Sequence, residues 1–123
     1  MSNDSSVLVN VIRMVEDVVS VNVYDGVVPE TVTGTAVAIS NTGFDNGQRT
    51  LEGRRSGASS LWRATISGPS KADNNVVEKQ ILTLDNTVND DFQRIYVGIE
   101  NIEAREPNQP IFRVFLSIEV YNR

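Results

Sequence analysis

The stretch from Ile111 to Tyr121 constrains the fold of this chain more than any other. Phe112, Val114, Leu116, Ile118 and Val120 alternate with Arg113, Ser117 and Glu119. A period of two places the apolar set on one face of a strand and the polar set on the other. A helix would scatter the same residues around its circumference. The chain must therefore build a sheet with one buried face, and other elements must cover that face.

The remaining elements fit that demand. Leu8, Val11, Ile12, Val15, Val18 and Val19 lie on one face of a helix over Ser5 to Val19, with Asp4 and Ser5 at its N-cap. Valine is a poor helix former, so this helix needs packing to hold it. Val21, Val23 and Tyr24 form a short strand, ended by the Asp25-Gly26 turn and by Pro29. Thr33 to Ser40 reads as a second strand, with small Ala36, Ala38 and Ser40 on one face and Val37 and Ile39 on the other. The small face suggests close approach of a helix or of a neighbouring subunit. Leu61 to Ser67 is a third strand with Trp62, Ala64 and Ile66 together. A second helix starts at Asp73, presents Val77, Ile81 and Leu84 with Val76 beside them, and ends near Asp85–Asn86. Ile95, Val97 and Ile99 open a fourth strand that can run to Ile102. Glu106 to Pro110 is a turn, so the last two strands should pair as an antiparallel hairpin.

This order predicts an α+β fold. One mixed, mostly antiparallel sheet of four to five strands carries two helices on one face. The 123 residues are enough for one domain with its own core, spanning 1–123, and 40% of them are hydrophobic. A long arm rich in Gly, Asn, Ser and Arg interrupts the order between 41 and 60, with a short strand at Thr50 and Leu51 as an option inside it. Small domains rarely keep so long a loop without a use for it.

Charge is segregated along the chain. Between Phe44 and Arg63, Arg49, Arg54, Arg55 and Arg63 stand against Asp45 and Glu52, a net of +2 in a chain of net −5. A basic arm on an acidic body points to self-assembly or docking on a protein partner. A solvated loop with no specific role is the plain alternative. Trp62 beside Arg63 is open to two readings. The pair suits an interface anchor, and a lone tryptophan on a strand is equally an ordinary core residue.

Chemistry is sparse. Without histidine or cysteine there is no imidazole base, no thiolate nucleophile, no disulfide and no soft metal site. Asp90-Asp91 and Glu100 with Glu103 are the candidate carboxylate pairs, and adjacent aspartates on a strand point to opposite faces. Asp85, Asp90 and Asp91 lack the spacing of a calcium loop. Gly43, Gly47, Gly53 and Gly57 lack the lysine of a phosphate loop. The expectation is a protein that is no enzyme and uses no cofactor. No leader and no apolar run long enough for a bilayer is evident, which reads as a soluble protein made in the cytoplasm, with no membrane partner.

Several segments together resemble the tail terminator, or tail completion, proteins of long-tailed bacteriophages. They are the Val23–Pro29 turn with Tyr24, Asp25, Gly26 and Pro29, the small-residue strand Thr35–Ser40, and the arginine arm. The Leu-Trp-Arg-Ala-Thr-Ile-Ser-Gly strand (Leu61–Gly68) and the closing strand Phe112–Tyr121 complete the set. The resemblance runs from Ser6 to Tyr121. It implies a virion protein of the head-proximal tail end, forming a hexameric ring that stops tube polymerisation and presents a surface to the head's connector. Its partners would be further copies of itself, the tail tube protein and the connector or neck protein, with Arg49, Arg54, Arg55, Trp62 and Arg63 at the contacts. DNA would pass through an acidic ring without sticking, because like charges release no counterions. Another neck or head–tail joining protein is an alternative in the same setting. A small adaptor that adds peptides to a sheet edge, with Thr33–Ser40 as that edge, is the non-viral one.

Overall fold

The computed structural model describes residues 4–45, 59–105 and 111–122, with 4–6, 43–45 and 101–105 described by their backbone alone. Among these residues two helices, α1 (Asp4–Glu16) and α2 (Lys71–Leu82), accompany five strands. The strands are β1 (Val23–Asp25), β2 (Ala36–Asp45), β3 (Ser59–Gly68), β4 (Phe92–Arg105) and β5 (Phe112–Asn122). They form one sheet in the order β1-β2-β3-β5-β4. β1 runs parallel to β2, and every other pairing is antiparallel. This is the mixed α+β sheet that the sequence predicts.

The core rests on the alternation in β3 and β5. Trp62, Ala64 and Ile66 face the helices beside Ile118, Leu116 and Val114, their register partners. Val120 extends the row, while Phe112 at its start is half-buried. α1 packs on β1 and β2, and α2 lies over β3, β5 and the rim of β4. α1 buries Val7, Val11, Met14 and Val15, with Leu8 and Ile12 on the flanks. The helix ends at Glu16, short of the expected Val19. Val18 and Val19 both donate to the Val15 carbonyl at 3.1 Å, which tightens the last turn. Val19 still packs against the core.

α2 starts earlier than expected. Ser70 is its N-cap in extended conformation, and its hydroxyl accepts from the Asp73 N–H at 3.2 Å. Asn74, one turn in, is fully buried and donates through Nδ2 to the Phe112 carbonyl at 3.1 Å. This bond pins α2 to the start of β5. Gly68 makes the close fit there possible. A Cβ at this position would lie 2.9 Å from the Thr35 Cα and 3.1 Å from the Asn74 Oδ1. Gly68→Ala should therefore cost about 1–3 kcal/mol through overpacking, read as a lower denaturation midpoint at unchanged m-value. An unchanged midpoint would contradict the contact.

The strands on either side of residues 46–58 are longer than the sequence suggests. β2 runs to Asp45 and β3 begins at Ser59, so 41–45 and 59–60 belong to the sheet and not to an arm. Pairing across a bulge at Asn41–Gly43 overrides the loop-like composition. Arg49, Arg54 and Arg55, the optional strand at Thr50 and Leu51, and the turn from Glu106 to Pro110 lie outside the described residues. β4 is also longer than expected and carries bulges beyond Ile99.

Candidate assembly surface

Among the described residues one face of the sheet carries no helix, and polar residues dominate it. Arg63 sits on this face opposite Ser117, which in turn pairs with Gly98. These small neighbours leave room for the arginine to reach across β5 to Glu100 on β4. Arg63 Nε donates to Glu100 Oε1 at 2.7 Å and Nη2 to Oε2 at 3.0 Å, a two-pronged ion pair. The guanidinium also lies over the Phe115 ring, 5.6 Å from its centre. The Arg63 hydrogen bonds hold the Glu100 carboxyl below the usual carboxylate range, and Glu100 raises Arg63 in turn. A lowered carboxyl pKa stabilises the fold above its unfolded value, and that contribution is lost as pH falls through the folded value. Both groups are well exposed, so the effect on stability is small. Arg63 and Glu100 thus act first on each other and tie β3 to β4.

Trp62, expected either at an interface or in the core, is in the core at 2% exposure. Its Nε1 donates to Ser60 Oγ at 2.8 Å, which satisfies the one polar atom of the ring system inside the protein. Neighbouring strand positions face opposite ways, so the Trp62–Arg63 pair is divided between the two faces.

The Tyr24-Asp25-Gly26-Val27-Val28-Pro29 segment ends β1 and turns onto the helix-free face. Gly26 has φ +90, a conformation that favours glycine, and its N–H donates to the Ile39 carbonyl at 2.8 Å. Tyr24 is half-buried, while Asp25 and Pro29 are exposed. Beyond the turn, Pro29, Val32 and Gly34 border a cavity of about 480 Å³ with Ser67 and Arg113 on its floor. Val27 and Val28 border a second hollow above Ala38 and Phe115. The small face of β2 is thus covered by the chain's own connection, where a helix or a neighbouring subunit was expected. Within the stretch proposed for peptide addition, Val37 to Ile39 are no free edge, since they pair with β1 on one side and β3 on the other.

The outer edge of β4 is covered in its first half. Asn86 adopts φ 61, in the left-handed region that asparagine tolerates, and its N–H donates to the Ile95 carbonyl at 2.7 Å. The Ile95 N–H donates to Thr87 O at 3.0 Å, and the Val97 N–H donates to Asp85 Oδ1 at 2.9 Å. Asn89 Oδ1 accepts from the N–H groups of Asp91 and Phe92, both at 2.8 Å. Asp85, weighed in the sequence as a metal ligand, braces a strand edge. Among the described residues no acidic cluster could hold a metal ion, and no helix is long and apolar enough to cross a membrane. Ile99, next in the row after Ile95 and Val97, is 60% exposed. It shares the face of its partner Leu116, but helix cover stops short of this edge.

No protein-family model matches the chain, and no curated protein does. Among solved structures, the chain is similar to one from the virion of a native gene transfer agent particle, with a TM-score of 0.59. The match covers 88% of this chain and 83% of the other at 14% identity, so the likeness is one of fold.

Proposed function

We propose that this chain is a structural protein of a phage-like virion and that it caps the head-proximal end of the tail tube. In this reading it forms a hexameric ring, ends tube polymerisation and offers the surface on which the head is joined. The observation that carries the proposal is the shared fold, over most of both chains, with a chain of a gene transfer agent virion. The turn, Trp-Arg strand and closing strand that resemble tail terminators support it from the sequence side. Two carboxylates weighed for chemistry are engaged otherwise, Glu100 with Arg63 and Asp85 with the β4 backbone. A scaffolding role without catalysis or cofactor fits that use. Arg49, Arg54 and Arg55 are assigned to docking on the tube or on a neighbouring copy, and DNA threads the acidic ring without specific contact.

Deletion of the gene tests the reading. Particles made without it should show tails of uncontrolled length, separated from heads, in electron micrographs. Complementation with a copy carrying Arg54→Glu and Arg55→Glu should fail to restore capping while the purified variant keeps its melting temperature. Tails of normal length that merely lack heads would move the protein to the neck. Normal particles would end the proposal.

A further inference from the structure

We propose that copies of this chain join edge to edge. The outer edge of β2 beyond Ile39 in one copy pairs antiparallel with the outer edge of β4 beyond Val97 in the next. The inference rests on the ring reading to the extent that copies must meet, and it names the contact by which they do.

Among the described residues, each side of the sheet is closed over one half and open over the other. On the β2 side, β1 ends its pairing at Asp25 opposite Ile39. Among the described residues nothing pairs with Ser40 to Asp45 on that side. On the β4 side, the connection around Asp85 to Asn89 covers the edge up to Val97. Among the described residues nothing covers it from Ile99 onward. An unpaired edge is a template for another strand, and proteins normally blunt it. Here half of one long edge is blunted, and an exposed isoleucine stands on the other half.

The two open halves are complementary in direction and in place. Through the register, Asp45 is level with Ser59, Tyr121 and Arg94, at the end where β4 is covered. Ala104 is level with Arg113 and Ser67, beside Ala36 at the other end of β2. β2 and β4 run in opposite directions. Two copies standing the same way up, one staggered along the strands, therefore bring open edge to open edge as an antiparallel pair. Every copy gives one edge and receives another, a head-to-tail contact that closes into a ring when its rotation permits. Stagger and strand tilt are linked in any closed sheet.

The ring reading selects this pairing over the two symmetric ones. A β2–β2 or β4–β4 contact is two-fold and sets neighbouring copies opposite ways up, whereas a ring on one tube end needs every copy the same way up.

The chain has no cysteine, so engineered thiols report this contact alone. Asn41→Cys or Thr42→Cys is combined in one chain with Ile99→Cys, Asn101→Cys or Ala104→Cys, which scans the register. Each variant is oxidised mildly, run on a non-reducing gel and weighed by light scattering. The expected result is a cross-linked series up to a closed multimer for at least one combination, with no cross-link from any single-cysteine variant. Cross-linking by a single-cysteine variant would show a symmetric pairing and overturn the proposal. A multimer that no combination cross-links would overturn it as well, as would a monomer at every concentration. Failure here with capping intact in the complementation assay removes the strand contact and leaves the terminator reading. Cross-linking with normal particles after gene deletion does the reverse.

Discussion

Trp62→Ala is expected to lower the unfolding free energy by about 3–5 kcal/mol, the range for truncating a large buried aromatic. The ring is 2% exposed and sits between Asn41 on β2 and Ile118 on β5 in the register. Two losses add together. The first is the ring's own burial and the cavity it leaves. The second is the partner of Ser60 Oγ, a hydroxyl on a residue that is itself 1% exposed. A buried polar group without its partner costs about 1–3 kcal/mol. Trp62→Phe keeps most of the volume but removes the N–H and part of the ring system, so its loss should fall below that of Trp62→Ala. Denaturant unfolding of the three proteins measures both. A change under about 0.5 kcal/mol for Trp62→Ala, the usual surface value, would return the residue to an interface.

Leu116→Ala comes next, with an expected loss of about 2–5 kcal/mol. Leu116 has no exposed surface and lies on β5, between β3 and β4. Its partner on β3 is Ala64, too small to move into the space left behind. Its partner on β4 is Ile99, at the open edge of the sheet. Poor collapse of the site puts the loss in the upper part of the range. Ile99→Ala, in the same row, serves as the control and should change stability by no more than about 0.5 kcal/mol in the monomer. Equal losses at the two positions would contradict the burial assigned here.

The parts of the fold legible in the sequence are those where one physical signal acts alone. β5 and β3 alternate cleanly because helices cover one face and polar groups occupy the other. The antiparallel pairing of β4 with β5 follows from two apolar rows that are neighbours in the sequence. Elsewhere distant pairing outweighs local composition. Asn41 to Asp45 looks like a loop, yet β3 holds it as a strand through a bulge. The start of α2 rests on the hydroxyl of Ser70, a residue that Gly68-Pro69 disguises as turn. Ile99 fits the core period and is exposed because period reports a face, not whether anything covers it.

The candidate surface was less legible for the same reason. The Arg63–Glu100 pair joins residues far apart in sequence, and only the order β3-β5-β4 brings them within reach. Asp85 became a brace because the left-handed turn at Asn86 carries the chain back along β4. Composition marks such aspartates as solvated or metal-binding and holds no sign of an edge.

Image reconstruction of the assembled particle at its neck tests the central claim most directly. The account predicts a sixfold ring of this chain on the head-proximal end of the tail tube, with the sheet of each copy continued by its neighbour's. Density for this chain elsewhere in the particle, or a particle that holds none, would contradict it.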